Sequence, residues 1–194
     1  MNKQNLVYID DFGLKGINFY WHKYAAKGLH KEDILNAGLT NDRVQVHEDI
    51  INPLIQVNEA FKERGYILFI KEGYRSKELY NVIYKRRVEK FGKEETDKLL
   101  NMKDMPHAEG KSVDVALWDP NEDKEVYMRN GDDGVDALFV DFYKGKENEQ
   151  SKHYQELQEW VIRIMFDNGF RLGTKNEYFH FDYRPNEPEN YSFE

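Results

Sequence analysis

Apolar positions recur along this chain with two distinct periods. From His47 to Arg64 the residues Ile51, Leu54, Ile55, Asn58 and Phe61 fall three and four apart, the spacing that puts side chains on one face of an α-helix, and Gly65 follows as a stop. The run Tyr66-Ile67-Leu68-Phe69-Ile70-Lys71 is short, aromatic and β-branched and ends at Gly73, so it predicts a buried strand. A charged helix is expected over Lys77 to Phe91, a second over Lys93 to Asn101, and a first short one over Lys31 to Ala37 with Gly38 behind it.

Lys111 to Trp118 alternates with period two, Val113, Val115 and Leu117 on one side and Ser112, Asp114 and Ala116 on the other. Asp119-Pro120-Asn121-Glu122-Asp123 is turn chemistry, and Lys124 to Met128 predicts the returning strand of a hairpin. A Gly- and Asp-rich loop covers Asn130 to Asp136. Ser151 then predicts the cap of a helix to about Asn168 with Leu157, Val161, Ile164 and Met165 inward, and Tyr178 to Tyr183 predicts the last strand, closed by Pro185. Strands separated by unequal helices and joined in part by a hairpin define an α+β class, read as one domain with a small, mainly antiparallel sheet flanked by helices.

Composition narrows what such a domain does. At 194 residues, 40% hydrophobic and 14% aromatic, the chain is long enough and apolar enough to bury a core and leave a pocket. A formal charge of −8 opposes phosphate binding, and the densest basic cluster, Lys85-Arg86-Arg87, sits among glutamates on a solvated helix face, so no nucleic-acid partner is expected. No apolar run reaches the ~20 residues of a membrane span and the N-terminus has no apolar leader, so no membrane partner and a cytoplasmic protein are expected. There is no cysteine, so a transition metal would have to be held by His, Asp or Glu.

Three stretches carry candidate chemistry: Gly73-Tyr74-Arg75-Ser76, then His107 to Asp114, then Glu177-Tyr178-Phe179-His180. A hydrolytic zinc site needs three His or carboxylate ligands, an open position and a nearby base that is not a ligand. Asp114 points away from Val113 and Val115, Gly110 permits the turn that folds His107 back toward it, and His180 shares a strand face with Tyr178 and Asp182. Glu177 has the opposite parity to His180, so the two reach one point only if the chain turns at Glu177. Each residue taken alone has an ordinary reading: a hydrogen-bonded structural histidine, solvent-facing carboxylates, and an arginine paired with an acid.

Taken together, the stretches resemble the zinc D-alanyl-D-alanine peptidases, whose motif SxHxxGxAxD is followed far downstream by ExxH or DxxH and whose fold is shared with the hedgehog domain. His107, Gly110 and Asp114 fall on the first motif, Glu177 and His180 on the second, and Gly73-Tyr74-Arg75 on the GYR of the dipeptidase branch. The similarity runs from about Val44 to the C-terminus, leaving residues 1–43 as a poorly matched extension. The resemblance implies one Zn²⁺ per chain on His107, Asp114 and His180, Glu177 as general base, and Arg75 as oxyanion partner. Asp136, with Asp133 as the alternative, would receive the substrate's free amine, and Tyr74 and Ser112 would contact the substrate.

The implied reaction is hydrolysis of a short peptide, most simply D-Ala-D-Ala. A carboxypeptidase or endopeptidase acting on longer cell-wall peptides and a non-catalytic zinc module are the alternatives. Met105 stands where the motif has Ser and Ser112 where it has Ala. The first change removes a hydroxyl used in substrate recognition in the dipeptidases and leaves the metal ligands untouched.

Overall fold

The structure, a computed structural model, describes residues 5–98, 100, 102–174 and 177–193. In chain order its elements are β1 (Leu6–Tyr8), β2 (Lys15–Gly16), α1 (Phe19–Lys23), α2 (Lys31–Asn36), β3 (Gln45–His47), α3 (Ile51–Lys62), β4 (Ile67–Glu72), α4 (Lys77–Phe91), α5 (Lys93–Asp97), β5 (Ser112–Asp119), β6 (Lys124–Val126), α6 (Glu149–Asp167), β7 (Phe170–Leu172) and β8 (His180–Tyr183). The class is α+β, as the alternation of periods predicts. A two-stranded sheet pairs β1 with β3, and a second sheet runs β2-β4-β5-β8-β7 with β6 on β5. The chain forms two compact units, residues 1–48 with 70–113 and residues 49–69 with 114–194.

In the first unit the segment before Val44 is structured: β1 lies antiparallel to β3 in the register Leu6↔His47, and Ile17 N–H donates to the Ile70 carbonyl at 3.1 Å. Its apolar core gathers Tyr20, Leu29, Ile34, Leu79, Tyr80 and Ile83, with Met105 packed against the edge. Ser76 starts α4, its Oγ accepting from Leu79 N–H at 3.1 Å and donating to the Ala37 carbonyl at 2.9 Å, which leaves the expected span Lys77–Phe91 intact.

In the second unit α3 and α6 bury their apolar stripes, Leu54, Val57 and Phe61 on one and Leu157, Val161, Ile162 and Met165 on the other, and Phe61 meets Trp160 at 5.1 Å between ring centroids. Ile164, expected to face inward, is only half-buried, and Ile162 takes that place. The hairpin expected after β5 is present, with Leu117↔Val126 and Asp119↔Lys124 paired antiparallel. Strand β7 pairs with β8 in the register Leu172↔Phe181.

Several boundaries differ from expectation for identifiable reasons. The helix predicted from His47 starts at Ile51, because His47 is held in β3 and donates its N–H to the Gly110 carbonyl at 2.8 Å. The helix at Lys93 ends at Asp97; its expected end, Asn101, lies outside the described residues. Helix α6 is capped by Asn148, whose Oδ1 accepts from Ser151 N–H at 2.8 Å, so Ser151 sits inside the first turn and not at the cap. The last strand starts at His180 because Tyr178 and Phe179 are in a turn, and Phe170, two residues past the expected helix end at Asn168, opens β7, a strand the sequence does not predict. On β5, Ser112 and Ala116 are buried as fully as Val113 and Val115, so the alternation in sequence does not separate a wet face from a dry one. No described helix is long and apolar enough to cross a membrane.

Candidate metal and catalytic site

Within the first unit, β4 ends in Glu72 and the chain turns through Gly73 to Arg75. Glu72 and Arg75 are both buried and form a two-point ion pair, Nε to Oε1 at 2.8 Å and Nη2 to Oε2 at 2.5 Å, with the guanidinium over the rings of Tyr80 and Tyr20 at 4.4 and 5.0 Å. Burial works against the Arg75 charge, and the Glu72 carboxylate with the two tyrosines more than offsets it, so Arg75 stays protonated well above the usual range.

His107 is buried in a short 3₁₀ turn, Pro106–Glu109, that ends at Gly110 with φ 72°, the left-handed turn that glycine makes without strain. Its Nδ1 lies 2.7 Å from the Gly73 carbonyl oxygen. A carbonyl only accepts, so Nδ1 carries the proton and Nε2 is left with the lone pair a metal needs. The His107 main chain is pinned as well, its N–H donating to the Tyr80 hydroxyl at 3.1 Å and its carbonyl accepting from Arg75 N–H at 3.1 Å.

Tyr74, proposed from the GYR resemblance to contact substrate, is half-buried and lines a cavity of about 430 Å³ together with Tyr8, Asn18, Gln45, Ser76 and Glu78. His107 is not part of that lining. Burial raises the Tyr74 phenol, and the Glu78 carboxylate adds to it.

Within the second unit, Asp114 on β5 and His180 at the start of β8 meet at 2.8 Å, Oδ1 to Nδ1. The far nitrogen, Nε2, lies 3.4 Å from Asp182 Oδ1, and Asp182 Oδ2 accepts from Arg184 Nη2 at 2.5 Å. Burial opposes a charge on His180, but the hydrogen bonds its ring donates to Asp114 and Asp182 prevail and lift it to about 10.

Glu177 is half-buried and its carbonyl accepts from His180 N–H at 3.3 Å, so the chain turns between the two residues as their opposite parity requires. Ser112 is buried on β5. Of the two acidic candidates for an amine, Asp136 is exposed in a 3₁₀ turn, whereas Asp133 accepts from the Tyr143 hydroxyl at 2.8 Å. That proton is held hard: burial first and then Asp133 push the Tyr143 phenol up to about 12.

His107, Asp114 and His180 each offer a ligating atom, and these atoms lie within 4.8 Å of one another, which makes them a group able to hold a metal ion. Two imidazoles and a carboxylate are the donor set zinc takes when a position is left open for chemistry. The surroundings of His107 fit the same use, its Nδ1 being spent on the Gly73 carbonyl, and His180 has a carboxylate at each ring nitrogen, one of them that of Asp114 in the same group. Sequence reasoning missed the Glu72 partner of Arg75 and the Asp182–Arg184 pair behind His180. The shared strand face of His180 and Asp182 was the available signal.

No family model matches the chain, and no curated protein matches it. Among solved structures it is similar to the LdcB LD-carboxypeptidase (19% identity, TM-score 0.48, 72% of this chain and 59% of that one) and to VanYB in complex with D-alanine-D-alanine (17% identity, TM-score 0.48, 72% and 71%). A third similar structure is the D,D-dipeptidase VanXYg with a phosphinate analogue of D-Ala-D-Ala (19% identity, TM-score 0.42, 76% and 53%). The chain thus spans just over half the length of two of these three structures.

Proposed function

We propose that this chain is a zinc-dependent peptidase that hydrolyses a short peptide, D-Ala-D-Ala in the simplest case. The observation that carries the reading is the meeting of His107, Asp114 and His180, with Glu177 one turn before the last ligand and not among them. A zinc ion on these residues would supply an acidified water at neutral pH and a Lewis acid for the scissile carbonyl. Glu177 is the base that takes the water's proton and returns it to the leaving amine. Arg75, with two nitrogens committed to Glu72 and therefore fixed in orientation, is the cation assigned to the carbonyl oxygen as charge develops on it. Both roles distinguish an enzyme from a structural zinc module, which needs neither group. Asp136, exposed and free of the tyrosine hydrogen bond that occupies Asp133, is the acid assigned to the substrate's ammonium group.

The test is to incubate the zinc-loaded protein with D-Ala-D-Ala, L-Ala-L-Ala and a pentapeptide ending in D-Ala-D-Ala and to identify the products. Free D-alanine is expected from the D,D-dipeptide, and Glu177→Gln should keep its zinc while kcat falls about 10²-fold or more. Release of D-alanine from the pentapeptide alone would replace the dipeptidase by a carboxypeptidase. No cleavage of any of the three, with zinc bound, would remove the peptidase reading.

A further inference from the structure

Two carboxylates flank the imidazole of His180, one at each nitrogen, so the zinc reading leaves open which nitrogen is the donor. The choice matters because the two lone pairs point in divergent directions and only one of them is turned toward Asp114. The surroundings of the ring decide it. The ring is buried, and its Nε2 edge is closed on two sides.

Asp182, two residues along β8 and therefore on the same face, places Oδ1 3.4 Å from Nε2 and is itself only 6% exposed. Its other oxygen is held by Arg184 at 2.5 Å, so the carboxylate cannot swing away without breaking that pair.

The second wall comes from the neighbouring strand. Gly173 follows β7 and donates its N–H to the His180 carbonyl at 3.0 Å, one step beyond the pair Leu172↔Phe181. Residues opposite each other on antiparallel strands project to the same face, so a side chain at 173 would compete with the imidazole for one space. A β-carbon built there would stand 2.1 Å from Cδ2 and 2.5 Å from Nε2 of His180, inside any allowed contact, and 3.3 Å from Asp182 Oδ2. The imidazole occupies the room that the missing side chain leaves.

We propose that Asp182, anchored by Arg184, and Gly173 are positioning residues that lock the His180 ring so that Nε2–H is spent on Asp182 and Nδ1 is the only nitrogen presented to the metal. The inference rests on the zinc reading above, and it assigns to three residues outside the ligand motif the task of aiming a ligand. A carboxylate behind a metal-bound imidazole fixes the ring's proton and orientation, and its loss weakens metal binding by roughly 10- to 100-fold.

The experiment uses the zinc-loaded full chain labelled with ¹⁵N in its histidines. Long-range ¹H–¹⁵N correlations should show His180 metal-bound at Nδ1 and protonated at Nε2. Zinc affinity, measured by competition with a chromophoric chelator, should fall about tenfold or more in Asp182→Ala and by less in Asp182→Asn, which keeps an acceptor oxygen in place. Gly173→Ala should lose at least as much as Asp182→Ala, because its methyl displaces the ring, and Arg184→Ala less than either.

Metal bound at Nε2 in the wild type overturns the proposal without recourse to any variant, so a Gly173→Ala chain that does not fold leaves the test standing. Affinities of Asp182→Ala and Gly173→Ala equal to that of the wild type also overturn it while leaving the peptidase reading in place. A wild-type chain that takes up no zinc removes both.

Discussion

Arg75 shows most clearly how a residue legible in sequence acquires a partner that is not. The GYR stretch singles it out, and two roles suggest themselves, oxyanion partner or member of an ion pair; the structure gives it the pair with Glu72, three residues earlier, because the chain turns at once after β4. An ion pair buried this deeply contributes little net stability, but removing one partner strands a charge in the protein interior. Glu72→Ala should therefore lower the unfolding free energy by about 3–5 kcal/mol, read from urea denaturation at pH 7, and the double replacement Glu72→Leu with Arg75→Met should recover much of that loss. A Glu72→Ala chain that unfolds like the wild type would mean that water reaches Arg75. The proposed metal ligands lie nearer the other end of legibility: the required residue types and the turn at Glu177 are visible in the sequence, and the resemblance to the zinc D-alanyl-D-alanine peptidases is what singles out His107, Asp114, Glu177 and His180 among them. Gly173 lies beyond that reach. Its importance depends on the register of β7 against β8, and β7, three residues long and starting three residues after α6 ends, is too short to show a period of its own.

At the scale of elements, long periodic segments declare themselves and short ones do not. Helices α3, α4 and α6 and strands β4 and β5 lie within a few residues of their expected places, whereas β1, β2, β3 and β7 have two or three residues each, too few to show alternation. Their pairing depends on partners distant in sequence, as with β1 and β3. The start of α6 was misplaced for a local reason. Asn148 and Ser151 are both good capping residues three positions apart, and the polar residues between them carry no periodicity that would choose. The hydrogen bond from Ser151 N–H to Asn148 Oδ1 chooses Asn148. Asn148→Ala should accordingly cost about 1 kcal/mol in chemical denaturation. Ser151→Ala should stay within about 0.5 kcal/mol of the wild type, and the reverse ranking would restore Ser151 as the cap.

At the scale of the whole molecule, the α+β class was readable because two hydrophobic periods alternate along the chain and a hairpin joins two of the strands. The charge of −8 suits a small substrate that carries a free ammonium group, and it opposes a phosphate-bearing polymer. What unites residue, element and molecule is the claim that separate stretches of sequence supply the ligands of one metal ion, and zinc content tests that claim most directly. The purified protein, after dialysis against metal-free buffer, should hold about one Zn²⁺ per chain, and His107→Ala, Asp114→Ala and His180→Ala should each lose most of it, because two ligands do not compete for zinc as three do. Full occupancy in all three variants, or a wild-type chain that retains no zinc, would contradict the account.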